Sequence, residues 1–212
     1  MRRAMILANG IPPSRTTLER AAGGADLFVC ADGGAEAARR VGLMPEAVIG
    51  DMDSISAETL EHFRAAGARI VRDADNERTD TEKAIEYVLG RGPVDEIAIY
   101  GGSADRLDHV VGHLSLLHKY AGRANLILED DDASTWLASG DVTLDHPEGT
   151  VVSFFAVDGP VEAVTTENLR YPLTGTTLRL GSQDSVSNVI AKRPARIRFG
   201  SGRLVVVVLK RP

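Results

Sequence analysis

The sequence predicts an α/β protein, in which an N-terminal, Rossmann-like domain with a parallel sheet is followed by a small antiparallel β-sandwich. In the first part, short apolar runs alternate with stretches of helical periodicity, which is typical of a parallel sheet with helices on both faces. After about residue 138 the helical periodicity disappears, and short β-rich runs separated by glycine and proline follow. We therefore predict an α/β domain over residues 1–134 and a β-sandwich domain over residues 138–212.

The elements of the first domain follow from its apolar runs and its helical periodicity. An apolar stretch near the N-terminus predicts the first strand. Later strands are predicted at Leu27–Ala31, Ala47–Ile49, Ala68–Val71 and Glu96–Tyr100, with helices at Ala35–Val41, Ala57–Ala66, Thr81–Leu89 and Leu107–Tyr120. Thr79 and Glu82 match a capping box, which puts Asp80 in the first turn of its helix. In the last helix, five residues have the spacing of a buried apolar stripe: Leu107, Val110, Val111, Leu114 and Leu117.

The second domain is predicted from six short runs rich in β-forming residues. They are Val142–Leu144, Thr150–Ala156, Val161–Thr165, Thr176–Leu180, Ala195–Phe199 and Leu204–Leu209. The acidic segment Glu129–Ser134 that precedes them is predicted to be an exposed connector.

Composition and charge exclude several classes of protein. The chain has 43% hydrophobic and 25% charged residues, which is ordinary for a globular protein, and no apolar run approaches the roughly 20 residues of a membrane helix. The net charge of −6 argues against nucleic acid as the main partner. The N-terminus lacks the features of a signal peptide, and the single cysteine, Cys30, cannot form an internal disulfide. We predict a cytoplasmic protein with Cys30 in its core.

Four short acidic loops point to a function. They contain Asp32, then Asp51 with Asp53, then Asp80, and finally Asp108. In an open parallel sheet the carboxyl ends of the strands meet at one edge, where ligands bind. Carboxylates at such an edge commonly hold a hard divalent cation against a phosphorylated substrate. The pattern therefore predicts an enzyme of phosphate chemistry.

Each loop also has a simpler interpretation as a turn or a helix start. Asp51 and Asp53 would point to opposite faces of a regular strand, so they can share one ion only if the chain turns between them, which Gly50 permits. The chain has no P-loop motif, and we expect the phosphates to be held by metal, by Arg106 and by backbone amides near Gly33 and Gly101. One such loop is weak support, whereas four at one sheet edge are strong support.

Several blocks of the chain occur in the order that is found in one known family. They are Ala31-Asp32-Gly33-Gly34-Ala35, Gly50-Asp51-Met52-Asp53-Ser54, Thr79-Asp80-Thr81-Glu82-Lys83-Ala84, Arg106-Leu107-Asp108-His109, Leu169-Arg170-Tyr171-Pro172-Leu173 and Ser187-Asn188. On these blocks the chain resembles the thiamine pyrophosphokinase family over nearly its whole length. It departs from the usual family pattern at Asp105, His113 and Val189.

The resemblance implies transfer of a diphosphate group from ATP to the hydroxyethyl group of thiamine, with release of AMP and with Mg²⁺ as the cofactor. It implies an α/β catalytic domain followed by a β-sandwich that binds thiamine and forms the dimer. The expected assembly is a homodimer with thiamine bound between the subunits. ATP and thiamine are the expected partners, with neither nucleic acid nor membrane.

The acidic loops and the resemblance together assign candidate roles. Asp51, Asp53 and Asp80 are the predicted magnesium ligands. Arg106 is predicted to pair with the nucleotide phosphates, and Asp108 either orients Arg106 or completes the metal shell. The predicted substrate and nucleotide contacts are Asp32 near the substrate hydroxyl or cationic ring, Gly33, Asn76 and Thr79, with Ser187 and Asn188 at thiamine.

Three alternatives remain open on the residues alone. The same phosphate-binding residues would serve a pyrophosphokinase that acts on a hydroxymethylpterin, although Tyr171-Pro172-Leu173 and Ser187-Asn188 favour thiamine. A magnesium-dependent nucleotide phosphohydrolase would use water in place of the alcohol. A non-catalytic nucleotide or thiamine sensor is disfavoured, because it would not need this set of carboxylates.

Overall fold

The computed structural model describes residues 1–102 and 106–210, and Asp105 therefore lies outside the described residues. The chain divides into two compact units, Met1–Asp131 and Asp132–Pro212. Each unit has its own architecture.

The first unit is built on a parallel sheet. Its strands within the described residues are β1 (Arg3–Leu7), β2 (Leu27–Ala31), β3 (Ala47–Gly50), β4 (Arg69–Arg72), β5 (Glu96–Tyr100) and β6 (Leu126–Glu129). They lie in the order β6-β5-β1-β2-β3-β4, and each neighbouring pair is parallel. The chain therefore builds outward from β1 through β4 and then returns to the other side of β1 with β5. Such a reversal of strand order leaves a crevice at the carboxyl ends of the strands.

Helices cover this sheet. They are α1 (Arg15–Gly23), α2 (Gly34–Val41), α3 (Ala57–Ala65), α4 (Asp80–Gly90) and α5 (Leu107–Lys119). One core cluster joins α1, α2 and α3 to the sheet and contains Cys30, as predicted. Helix α1 and strand β6 were not predicted from the sequence. Helix α4 begins at Asp80, and the side chain of its N-cap, Thr79, accepts a hydrogen bond from the Glu82 amide at 3.2 Å. This half of the predicted capping box is confirmed, whereas the Glu82 carboxylate accepts from Lys119.

The predicted apolar stripe on α5 is only partly buried: Leu117 is buried and Val110 and Leu114 are half-buried, but its other two members are not. Leu107 is 77% exposed and Val111 is 57% exposed, whereas the buried residues of this helix are His113, Leu116 and Leu117. In the first two turns of α5 it is Asp108, His109 and Gly112 that border a cavity, and neither Leu107 nor Val111 lines it. Helical spacing predicts that one face is apolar, but it does not determine which residues of that face find a partner.

The second unit contains two antiparallel sheets, as expected for a sandwich. Its described strands are β7 (Ala133–Ala138), β8 (Val142–Leu144), β9 (Val151–Phe155), β10 (Val161–Glu167), β11 (Thr176–Leu178), β12 (Ser185–Val189), β13 (Ala195–Arg198) and β14 (Leu204–Leu209). One sheet has the order β12-β9-β14-β7 and the other β11-β10-β13-β8. Apolar residues of both sheets form one core cluster, against which the half-buried Trp136 packs.

The segment predicted as an exposed acidic connector is structured instead. Glu129 ends β6, and Ala133 and Ser134 begin β7. The Asp131 carboxylate accepts hydrogen bonds from the amide and hydroxyl of Ser14 and from the Thr17 hydroxyl at 2.6–2.9 Å. Because the amides of the first turn of a helix lack partners within the helix, this carboxylate stabilises the start of α1.

Candidate active site

Three carboxylates converge at the carboxyl edge of the parallel sheet. Asp32 follows β2, Asp51 follows β3, and Asp80 is the first residue of α4. Each offers one oxygen, and these oxygens all lie within 4.8 Å of one another. Three carboxylates at that spacing could hold a divalent cation with oxygen ligands.

Gly50 makes this convergence possible. A Cβ atom at Gly50 would lie 2.8 Å from Cβ of Asp32 and 3.1 Å from Cγ of Asp80. Any larger residue would therefore push the two carboxylates apart. The glycine at the end of β3 thus allows close approach of the acidic side chains, in addition to the turn for which it was singled out.

The chain turns between Asp51 and Asp53, as their sharing of one site would require. Met52 has a φ of 70°, and the Asp53 amide donates to Oδ1 of Asp51 at 3.1 Å. The exposed Asp53 carboxylate accepts a hydrogen bond from the Ser54 hydroxyl at 2.8 Å and does not belong to the group of three. The structure therefore brings together Asp51, Asp80 and Asp32, and the assignment of Asp53 as a metal ligand stays a prediction.

Asp32 has unusual electrostatics for a carboxylate. It is 1% exposed, its Oδ2 accepts from the Ser54 amide at 3.0 Å, and its Oδ1 has no hydrogen-bond partner among the described residues. Burial raises its pKa to about 6, and the nearby charges of Asp80, Asp53 and Asp51 act in the same direction against the Ser54 hydrogen bond. A cation beside Oδ1 would give this oxygen a partner and would offset the repulsion between Asp32 and the neighbouring carboxylates.

Lys83 is a site residue that the sequence analysis did not single out. Its side chain is only 3% exposed, and its Nζ lies 2.9 Å from Oδ1 of Asp80. Burial disfavours the ammonium, but the hydrogen bond to Asp80 and the surrounding carboxylates raise the pKa of Lys83 above its usual value. The spacing of three residues between Asp80 and Lys83 on a predicted helix was the available signal.

A cavity of about 300 Å³ lies beside the carboxylates. It is lined by Ala8, Asn9, Gly10, Ala31, Ser54, Thr79, Asp80, Thr81, Gly101, Asp108, His109, Gly112, His113 and Leu116. The backbone after β1 and β5 forms one part of its wall, which places it at the reversal of strand order. Its volume is at the lower end of the range for small-molecule sites.

Two predicted residues lie at the start of α5. The Arg106 guanidinium donates to both oxygens of Asp108, from Nε at 3.2 Å and from Nη2 at 2.6 Å. This hydrogen bonding lowers the pKa of Asp108. Asp108 also lines the cavity. Of its two predicted roles, the geometry favours orientation of Arg106.

Other predicted contacts of the first unit lie around the same edge. Thr79 lines the cavity and caps α4, while Asn76 is exposed in the loop before α4. Gly33 is buried, and a Cβ there would overlap the side chain of Asn9. Asn9 itself lines the cavity and was not predicted as a site residue.

The two predicted thiamine contacts of the second unit have different environments. Ser187 is exposed in an irregular part of β12, with a φ of 54°, and its amide donates to the Ser153 hydroxyl at 2.9 Å. Asn188 is 2% exposed. Its side chain accepts from the Tyr171 amide at 3.1 Å and donates to the Tyr171 carbonyl at 2.7 Å. Asn188 therefore holds Tyr171 in place, while Ser187 faces solvent.

Comparison with known protein families gives matches in both units. The model described as thiamin pyrophosphokinase, catalytic domain, matches residues 18–128. The model described as thiamin pyrophosphokinase, vitamin B1 binding domain, matches residues 141–204. None of the helices within residues 1–102 and 106–210 is long and apolar enough to cross a membrane.

Individual relatives agree with these matches. The chain is 28% identical to thiamine pyrophosphokinase 1 of Oryza sativa, over 88% of this chain and 80% of the relative. It is 26% identical to the thiamine pyrophosphokinase of Bacillus subtilis, over 85% of this chain and 86% of the relative.

Solved structures share the fold. The crystal structure of the Bacillus subtilis enzyme has a TM-score of 0.87 at 24% identity and covers 100% of both chains. That of the Candida albicans enzyme has a TM-score of 0.88 at 16% identity and covers 98% of this chain and 88% of the other. Because the catalytic-domain model alone matches more than half of the sequence, and the second model matches most of the remainder, the chain belongs to the thiamine pyrophosphokinase family.

Proposed function

We propose that this protein transfers a diphosphate group from ATP to the hydroxyethyl oxygen of thiamine, giving thiamine diphosphate and AMP. The observation that carries the proposal is the convergence of Asp32, Asp51 and Asp80 within the segment that matches the catalytic domain of the family. In this reaction the hydroxyl of thiamine loses its proton to water, and a bond forms between its oxygen and the β-phosphorus. The bond from the β-phosphorus to the oxygen that bridges the α- and β-phosphates breaks, and AMP leaves with that oxygen.

The residues at the sheet edge fit a Mg²⁺ ion. The carboxylates provide only oxygen ligands, and the buried Oδ1 of Asp32 needs a partner. Asp32, Asp51 and Asp80 would hold the ion, with Asp53 as a further predicted ligand on the same loop as Asp51. When bound, the cation neutralises charge on the phosphate oxygens.

The remaining task of the protein is to position the reactants and to balance charge. Phosphoryl-group transfer needs in-line geometry more than covalent help, so side chains that align the donor are sufficient. The Arg106 guanidinium, which Asp108 orients by accepting two of its hydrogen bonds, pairs with the phosphates. The first turn of α4, which contributes Thr79, Asp80 and Thr81 to the cavity, presents backbone amides at its positive end.

The second unit takes the role of thiamine binding in this proposal. The exposed Ser187 hydroxyl contacts thiamine, and Asn188 acts through the position of Tyr171. We also propose that the protein is a homodimer, which sedimentation of the wild type tests. An active monomer would contradict this part of the proposal.

The activity has a direct test. The protein is incubated with ATP and Mg²⁺, in separate reactions with thiamine, with a hydroxymethylpterin and with no acceptor, and the nucleotide product is identified. We expect AMP and thiamine diphosphate only with thiamine, and no turnover when Mg²⁺ is chelated. AMP formed with the pterin would identify a different acceptor, whereas ADP or phosphate formed without acceptor would indicate hydrolysis.

A further inference from the structure

Gly112 is a glycine in the interior of α5 that the packing of the chain does not explain. Glycine destabilises a helix relative to alanine, because it loses more conformational freedom on folding. A Cβ atom at Gly112 would meet no atom of the described residues within 4 Å. Nothing in the described part of the chain therefore requires the smallest residue at this position.

The position of Gly112 at the cavity offers a reason for it. Asp108, Gly112 and Leu116 follow one another at intervals of four residues and all line the cavity. Helical geometry places such residues on one face, so this face of α5 forms a wall with a gap at its centre. Asp80, which belongs to the group of three carboxylates, lines the cavity as well.

The cavity therefore adjoins the candidate metal site and also reaches the wall of α5. A nucleoside triphosphate whose phosphates approach the carboxylates would have its nucleoside directed into the rest of the cavity. Leu116 offers apolar contact there, and the buried ring of His113 lies beside Gly102, since a Cβ at Gly102 would come within 3.3 Å of it. Leu116 and the His113 ring can contact the face of a base, while Asn9 and Thr81 in the same lining offer hydrogen-bonding groups to its edge or to the ribose.

We propose that Gly112 determines the fit of the phosphate donor, because the missing side chain leaves room for the nucleoside of ATP against the backbone of α5. The inference rests on the proposed function for the identity of the donor. It assigns Gly112 to nucleoside recognition and not to the diphosphate chemistry itself.

The test compares Gly112 with a second exposed helical glycine. Gly90 is the last residue of α4, a Cβ there also meets nothing within 4 Å of the described residues, and Gly90 does not line the cavity. The variants Gly112→Ala, Gly112→Leu, Gly90→Ala and Gly90→Leu are made in the full chain. Calorimetry measures the affinity for ATP and for inorganic tripolyphosphate, both with Mg²⁺, and thermal unfolding reports whether each variant folds.

We expect Gly112→Leu to weaken ATP binding by at least about tenfold and to leave tripolyphosphate binding within about threefold, since in this proposal the added side chain enters the part of the cavity that takes the nucleoside. Both Gly90 variants should bind ATP as the wild type does. Gly112→Ala should raise the melting temperature by about 1–4 °C. If the leucine variant folds poorly, the alanine variant carries the comparison, and it should bind ATP more weakly than the wild type does while its tripolyphosphate affinity stays the same.

Several outcomes would overturn the inference. They are unchanged ATP affinity in Gly112→Leu, an equal loss for both ligands, or a wild type that binds ATP no more tightly than tripolyphosphate. Because these are binding measurements, they remain informative even if the wild type produces no thiamine diphosphate, so failure of the inference and failure of the proposed function can be told apart.

Discussion

The ammonium of Lys83 lies 2.9 Å from Oδ1 of Asp80, one turn further along α4, with both groups at the edge of the carboxylate cluster. Lys83 is buried, so this contact is not screened as a surface ion pair would be. Lys83 is therefore a positioning residue for Asp80 and partly balances the charge of the cluster.

Replacing Lys83 by methionine should lower kcat about 10- to 100-fold, because Asp80 loses the group that orients it. The KM for thiamine should stay within about threefold of the wild-type value. Steady-state kinetics at saturating Mg²⁺ measure both. Lys119→Met is a suitable control. Lys119, at the end of α5, forms an ion pair of 2.5 Å with Glu82 of α4, and Glu82 is not one of the three clustered carboxylates. Equal effects of the two substitutions would contradict the role of Lys83.

The metal assignment predicts how the Mg²⁺ requirement changes. Asp32→Asn, Asp51→Asn and Asp80→Asn should each raise the Mg²⁺ concentration for half-maximal activity by about tenfold or more, since each removes a charged ligand. Asp53→Asn should have a smaller effect, because the Asp53 carboxylate is engaged with the Ser54 hydroxyl. Titration of activity with Mg²⁺ measures these values. If Asp53→Asn has the largest effect, the ligands are Asp51, Asp53 and Asp80, as predicted from the sequence. The metal would then not be held by the group that includes Asp32.

The raised pKa of Asp32 predicts a stability change that depends on pH. A folded-state pKa of about 6, against an ordinary value of 3.8, means that the folded protein favours the protonated carboxyl. The cost of ionising it therefore develops as the pH rises from about 4 to 6. In the presence of a chelator, Asp32→Asn should raise the free energy of unfolding by about 1–3 kcal/mol at pH 7, with little gain at pH 4. Denaturant unfolding at the two pH values tests this.

Asparagine suits the position of Asp32 in other respects. The residue has a φ of 39°, which asparagine tolerates, and an asparagine side chain can still accept from the Ser54 amide. Asp53→Asn on the exposed neighbouring loop provides the control and should give no comparable gain. A stabilisation by Asp32→Asn that is the same at both pH values would show that ionisation is not its cause.

Arg106 should not be replaceable by lysine. A guanidinium can bind Asp108 and a phosphate through its planar fork, whereas lysine offers a single point of charge. We expect Arg106→Lys and Arg106→Ala both to lower kcat/KM for ATP by about 100-fold. Arg123→Lys is the matched control, since Arg123 forms a similar fork with Glu86 away from the cavity. Full activity of Arg106→Lys would mean that the fork is not used.

Ser187 and Asn188 should differ in how they affect thiamine binding. Ser187→Ala should weaken thiamine binding by about tenfold and leave stability and ATP affinity unchanged, because the exposed hydroxyl contacts only the ligand. Asn188→Ala should lower the free energy of unfolding by about 2–4 kcal/mol, because the amide and carbonyl of Tyr171 lose their partner. Calorimetric binding and denaturant unfolding separate the two. A stable Asn188→Ala variant that loses thiamine alone would make Asn188 a direct contact.

Much of the architecture could be predicted from local patterns. Buried strands of a parallel sheet are continuous apolar runs, and the start of α4 carries a cap that can be recognised from four residues, so both were correctly placed. The exceptions have local reasons. Helix α1 has little apolar periodicity of its own, and its N-cap, Ser14, is held by Asp131, which is distant in sequence. Strand β12 is irregular at Ser187, where a non-glycine residue adopts a positive φ.

The fold class, the α/β and β-sandwich parts and the acidic edge of the sheet could be predicted from the sequence, because strand periodicity, helix caps and strand ends are local features. That Asp32 joins Asp51 and Asp80 could be seen in the folded chain alone, since their distance depends on the pairing of β2 with β3 and on the absence of a Cβ at Gly50. The same holds for the burial of Lys83 against Asp80 and for the exposure of Leu107. Burial is a property of what packs against a residue, and that partner lies elsewhere in the chain.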